Sequence, residues 1–120
     1  DLLVLFAHDA DLIGPDLAEL RYRASIRPGV QEAFAAMFPA PRQSALDAMT
    51  HDLADIRAIA APTLVVHGRD DQVIPLATSL ALLEAIDDAQ LHVFGRCGHW
   101  TQIEHADEFA DLVIGFLARP

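Results

Sequence analysis

Between residues 1 and 57 the apolar positions recur at helical spacing. "DLLVLFAHD", "DLAELRYRAS" and "GVQEAFAAMF" each set apolar side chains three and four residues apart, and Pro15, Pro28, Pro39 and Pro41 interrupt the pattern. Several short helices joined by tight turns are predicted there, without a strand. From Ala61 the texture changes. "PTLVVHG" is a short apolar, β-branched run closed by glycine, which predicts a buried parallel strand, and "AQLHVFG" predicts a second one. Between them "PLATSLALLEAIDD" carries Leu76, Leu80, Leu83 and Ile86 as the apolar stripe of a helix. "HADEFADLVIGFLAR" predicts a closing helix with Phe109, Leu112, Val113, Phe116 and Leu117 on one side. Strand, helix, strand and helix at this spacing make a βαβα unit with parallel strands and a right-handed crossover, so the class is α/β.

Composition narrows the functional classes. A chain of 120 residues that is 52% hydrophobic can bury a core and is not disordered. No apolar run approaches the roughly 20 residues that span a bilayer, and no signal peptide is visible, so a soluble cytoplasmic protein without a membrane partner is expected. One cysteine, Cys97, excludes an internal disulfide. The formal charge of -10 argues against nucleic acid, which requires a basic stripe. All eight basic residues are arginines, and three of them, Arg21, Arg23 and Arg27, cluster in "LRYRASIRPG". That cluster fits an anionic ligand, and fits equally a solvated helix face balancing Asp16 and Glu19. The chain opens on Asp1 with a helical pattern already running, so it is expected to be a truncated piece.

In open parallel sheets the ligand crevice lies beyond the carboxyl ends of the strands. Two polar loops take that position here, "GRDDQVIP" after the first strand and "GRCGHW" after the second. An acid from one and His99 from the other would therefore lie side by side. A carboxylate that accepts the Nδ1 proton of an imidazole fixes its tautomer and stabilises the imidazolium formed when the other nitrogen takes a proton. Plainer fates remain open: Asp70 and Asp71 as turn caps, His99 as a surface loop residue, Trp100 and Ile103 as core, Glu104 and His105 as the opening of a helix, His67 and His92 as structural residues. A metal site built from Cys97, His99 and His105 is disfavoured, because no CxxC, HxxxH or HExxH spacing is present.

Taken together, "LVVHGRDDQVIPL" and "LHVFGRCGHWTQIEHADEFADLVIGFL" resemble the C-terminal end of an α/β-hydrolase. With the segment "LAELRYRASIRPGVQEAFAAMFPAPRQ" the chain resembles more narrowly the meta-cleavage product hydrolases of aromatic catabolism, notably the 2-hydroxymuconic semialdehyde hydrolases. The resemblance implies a helical cap over residues 1–57 and the last part of the catalytic core over 58–120. It implies Asp71 as triad acid and His99 as triad base, Trp100 lining the substrate pocket, and Arg21 on the substrate carboxylate and enol system. It implies no cofactor and no metal, a small dienoate as ligand, and it leaves room for a homo-oligomer of the full-length enzyme. The family's nucleophile is a serine in a GxSxG elbow, and none exists here, since Ser25, Ser44 and Ser79 stand in other contexts. The expectation is therefore a fragment of a serine-type C–C hydrolase, inactive alone. Another α/β-hydrolase such as an esterase, or a non-catalytic binding protein of the same fold, is the alternative.

Overall fold

A computed structural model describes residues 2–119, which divide into two compact units, one formed by the residues up to Ile13 together with those from Leu53 onward, the other by Gly14–Asp52. The division differs from a boundary at residue 57. The chain's first residues join the sheet unit because the Phe6 carbonyl accepts the backbone N–H groups of His99 and Trp100, at 2.8 and 3.1 Å.

The sheet unit follows the predicted order. After two 3₁₀ turns (Leu2–Phe6 and Ala10–Leu12), the chain returns to it at the helix Leu53–Arg57. Strand β1 (Thr63–Gly68) and strand β2 (Ala89–Phe94) pair in parallel, with Thr63 opposite Ala89 and Gly68 opposite Phe94. A helix at Leu76–Ala85 makes the crossover and packs on both strands. Ile86, closing that helix, and Phe94, closing β2, are buried. Each contributes about 1.5–3 kcal/mol relative to an exposed position.

Two predicted helices differ in detail. The crossover helix does not bury Leu80, which is 50% exposed, but turns Ser79 inward instead. The reason is His67 on β1, whose Nε2–H donates to the Ile74 carbonyl at 3.1 Å. Its Nδ1 then needs a donor, and the Ser79 hydroxyl supplies one at 2.7 Å. The closing helix is preceded by a separate short one, Thr101–Glu104, before the main helix Ala106–Leu117. Asp107 and Glu108 lie in the first turn of the latter, where the helix dipole favours acids. Phe109, Leu112, Val113 and Phe116 are half-buried on one side, whereas Leu117 is exposed.

The second unit holds three helices, Pro15–Ser25, Val30–Met37 and Arg42–Asp47. Pro15 starts the first, where its missing N–H costs nothing, and Arg23 in the last turn bonds Glu19 one turn back at 2.6 Å. No described helix is long and apolar enough to cross a membrane.

Candidate active site

The two loops that leave the carboxyl ends of β1 and β2 are stitched to one another. The Asp70 N–H donates to the Cys97 carbonyl at 2.9 Å, and the Arg69 N–H to the Phe94 carbonyl at 2.8 Å. Gly68 and Gly98 permit this approach. A Cβ on Gly68 would run into the Gly98 carbonyl oxygen, and one on Gly98 would lie 2.8 Å from the His8 nitrogen and the Phe6 oxygen.

Within that frame the His99 Nδ1–H donates to Asp71 Oδ2 at 2.9 Å, although the two residues are 28 positions apart. A carboxylate only accepts, so this contact assigns the proton to Nδ1 and leaves Nε2 as the ring's base. The other Asp71 oxygen accepts the N–H groups of Val73 and Ile74, at 2.7 and 3.0 Å. Its carboxylate is thereby held by three donors, with its side chain only 5% exposed. Burial pushes the Asp71 carboxyl up, but the hydrogen bonds from His99, Ile74 and Val73 together outweigh it and leave it below the ordinary value of 3.8. His99 is a third exposed. A cavity of about 210 Å³ lined by His67, Asp71, Ile74, His99 and Thr101 opens at the pair.

Asp70, the other acid of the loop, turns away from His99. It accepts from the Arg69 guanidinium at 3.3 Å and faces His8 Nδ1 at 3.4 Å. The hydrogen bond from Arg69 is the main reason its carboxyl lies below the usual range. Trp100 stacks on Phe6 with ring centroids 5.0 Å apart, and Phe6 also tilts against the His99 ring at 5.4 Å. Arg21 lies exposed on the helix Pro15–Ser25 of the other unit.

Cys97 and His105, the other candidate ligands of the histidine loop, are occupied otherwise among the described residues. No group of three His, Cys, Asp or Glu side chains could hold a metal ion. Cys97 is fully buried, and its thiol is pushed up to about 12, first by burial and then by the negative charges of Glu104, Asp70 and Asp71. It carries no thiolate at neutral pH. His105 stacks on Phe94 at 4.7 Å and meets Glu108 at 3.2 Å, which makes it a packing residue. A larger hollow of about 390 Å³ sits at the opposite end of the strands, beside Pro62, Asp88, Gln90 and Arg119, without a histidine in its lining. Sequence reasoning read Glu104 only as the opening of a helix; it ends the short helix Thr101–Glu104, and its carboxylate accepts the N–H of Gly98 at 2.7 Å and that of His8 at 2.6 Å. Its only sequence signal is an acid shortly after the histidine loop.

Comparison with known proteins identifies the fold family. The family model of the alpha/beta hydrolase fold matches residues 3–106. A 2-hydroxymuconate semialdehyde hydrolase of Pseudomonas putida is 63% identical over 117 residues, covering 98% of this chain and 42% of its own length. A 2-hydroxy-6-oxo-2,4-heptadienoate hydrolase of another Pseudomonas putida strain is 61% identical, over 94% of this chain and 41% of its own length. Among solved structures, a mutant meta-cleavage product hydrolase of Pseudomonas fluorescens IP01 complexed with acetates superposes with a TM-score of 0.88 at 57% identity, covering 97% of this chain and 43% of that one. The chain thus spans about two-fifths of the length of the relatives it matches, and it belongs to the α/β-hydrolase fold family, with its similarity concentrated on the meta-cleavage product hydrolases.

Proposed function

We propose that this chain supplies the acid and the base of a serine-type triad, Asp71 and His99, to a hydrolase that cleaves a C–C bond in 2-hydroxy-6-oxo-dienoates. The observation that carries the reading is the Asp71–His99 hydrogen bond, made by the acid whose other oxygen is anchored by two backbone N–H groups. An imidazole held this way accepts a proton at Nε2 from a nucleophile and returns it to the leaving carbon, while the carboxylate stabilises the imidazolium between the two steps. The substrate class is supported by the names of the two curated relatives described above, each a hydrolase of such a compound. Water adds across the C5–C6 bond after the dienol has tautomerised to the keto form. The products are 2-hydroxypenta-2,4-dienoate and a small acid.

The remaining roles belong to the same reading. Arg21 holds the substrate carboxylate by charge-assisted bonds, and Trp100 lines the pocket beside His99. Gly14–Asp52 acts as the cap. The enzyme is cytoplasmic and needs no cofactor. The nucleophile comes from sequence outside this chain, since the chain contains no GxSxG elbow and its one serine in the sheet unit, Ser79, is buried against His67.

The experiment is a paired assay. The 120-residue chain should show no hydrolysis of a dienoate above background. Joined to an α/β-hydrolase segment that carries a serine elbow, it should consume the dienoate faster than a p-nitrophenyl ester. Saturable turnover by the chain alone, or a preference for the ester in the joined protein, would overturn the reading in favour of other chemistry on the same fold.

A further inference from the structure

Glu104 lies outside the acid–base pair, and the triad chemistry gives it no work. It ends the short helix Thr101–Glu104, and its side chain folds back over the histidine loop. Oε1 accepts the Gly98 N–H at 2.7 Å, and Oε2 accepts the His8 N–H at 2.6 Å. These two donors come from segments that are 96 and 6 residues away in sequence. Both distances are at the short end for N–H···O bonds, as expected when the acceptor is ionised. His99 follows Gly98 directly, and its own N–H donates to the Phe6 carbonyl at 2.8 Å. The residue that presents the imidazole is therefore flanked by two ties to the same short segment, residues 6–8. One tie is backbone to backbone, and the other runs through the Glu104 carboxylate.

Glutamate suits this position for a specific reason. The task is to satisfy two converging backbone donors at once, and a carboxylate has an acceptor on each oxygen. An amide has one acceptor and would point an NH₂ at the second N–H, and a shorter acid would not span both. We infer that Glu104 is a positioning residue for His99: its carboxylate clamps the loop 97–99 onto residues 6–8 and so holds the imidazole in line with Asp71 Oδ2. The inference rests on the reading of Asp71 and His99 as an acid–base pair.

The test is magnetic resonance of the 120-residue chain labelled with ¹⁵N in its histidines, comparing the parent with Glu104→Ala, Glu104→Gln and Asp71→Asn. In the parent, the His99 Nδ1 proton should be resolved and protected from solvent, and Asp71→Asn should abolish its downfield shift. Loss of the clamp should speed exchange of that proton roughly tenfold to hundredfold in Glu104→Ala, the effect expected for a lost charge-assisted bond. Glu104→Gln, which keeps the length and one acceptor, should fall between the two. His92 on β2 is the internal control, because its ring meets Phe94 and touches neither Asp71 nor Glu104. Its resonances should stay in place in both Glu104 variants. An unchanged His99 proton in a folded Glu104→Ala overturns the inference and leaves the pair intact. So does a shift of His92 together with His99 in Glu104→Gln, which reports general damage. If the parent has no protected Nδ1 proton, the Asp71–His99 pairing itself fails and the positioning role fails with it. Should Glu104→Ala not fold, Glu104→Gln decides alone by the same two readouts.

Discussion

The two units of the chain differ in what holds them. In the sheet unit, Ala7, His67, Ser79, Ile86, Phe94, Cys97 and Thr101 are buried, and hydrogen bonds tie segments distant in sequence. In Gly14–Asp52 no described residue is buried, and Leu20 and Met37 are each 63% exposed. Its named side-chain bonds are local ones, such as Arg23 to Glu19 and Gln43 to Asp47, each four residues apart. Local bonds order a helix but bury little area, and helices of this length are marginal by themselves. On the function proposed above, the contrast separates two jobs. A proton-transfer pair needs groups held within tenths of an ångström by a rigid surround, and the sheet unit provides that. A segment that only has to meet a substrate tolerates looser packing.

The sharpest way to break this contrast is to attack the pair. In the joined protein described above, His99→Ala or Asp71→Asn should lower kcat by about four orders of magnitude, because the base or its tautomer is lost. Thermal melting should still show a folded protein. A loss below about tenfold in either variant would leave the loop chemistry without a base and move the site elsewhere. The second largest effect is on stability. Ile86→Ala should cost about 2–5 kcal/mol in urea unfolding of the chain, since Ile86 is only 4% exposed. Met37→Ala, at an exposed position of the other unit, should stay within about 0.5 kcal/mol. Equal costs would mean that residues 14–52 hold a core of their own.

How much of this was legible in the sequence follows the same division. Both strands show within a residue of their ends, because a short, largely apolar run closed by glycine and followed by a polar loop has few other readings. The Asp71–His99 pair was legible because topology alone sends both loops to one edge, and the choice of Asp71 over Asp70 came from family resemblance. Ser79 was not legible. An apolar stripe is counted from apolar residues, whereas this inward hydroxyl answers a buried histidine that only tertiary structure reveals. The bonding of Glu104 and the docking of residues 6–8 were missed for a related reason, since a carboxylate bonded to backbone N–H groups leaves no side-chain pattern to read. The boundary at residue 57 came from a change of periodicity, but contact between distant segments decides which unit a segment joins.

Arg21 tests the looser unit. Arg21→Gln in the joined protein keeps much of the side-chain length but loses the charged fork, so it should lower kcat/KM for the dienoate by roughly tenfold to hundredfold, equivalent to about 1.5–3 kcal/mol. A neutral p-nitrophenyl ester, with no carboxylate to hold, should change less than about threefold. Equal losses on both substrates would assign Arg21 to the integrity of its helix and remove it from substrate binding.

The smallest expected effect lies in the acid limb of stability, and it sharpens the comparison inside the sheet unit itself. Asp71 has a folded-state carboxyl below its ordinary value of 3.8, because its hydrogen bonds to His99, Ile74 and Val73 outweigh the burial that pushes the other way. A carboxyl lowered by folding binds fewer protons in the native state than in the unfolded one. Its contribution to stability is therefore complete above the unfolded value, near 3.8, and is lost as pH falls through that value toward the lower folded one. Urea midpoints of the parent chain should decline over this range, and Asp71→Asn, which has nothing to titrate there, should decline less steeply. Asp70 is lowered too, chiefly by the Arg69 guanidinium, but it is far more open to solvent, where water and salt screen the interaction. Asp70→Asn should therefore leave the acid slope close to the parent's, and 0.5 M salt should flatten what remains of its share while sparing that of Asp71. A steeper slope in Asp71→Asn than in the parent would reverse the sign assigned to its hydrogen bonds. A larger flattening in Asp70→Asn than in Asp71→Asn would place the better-held carboxylate on the wrong member of the pair.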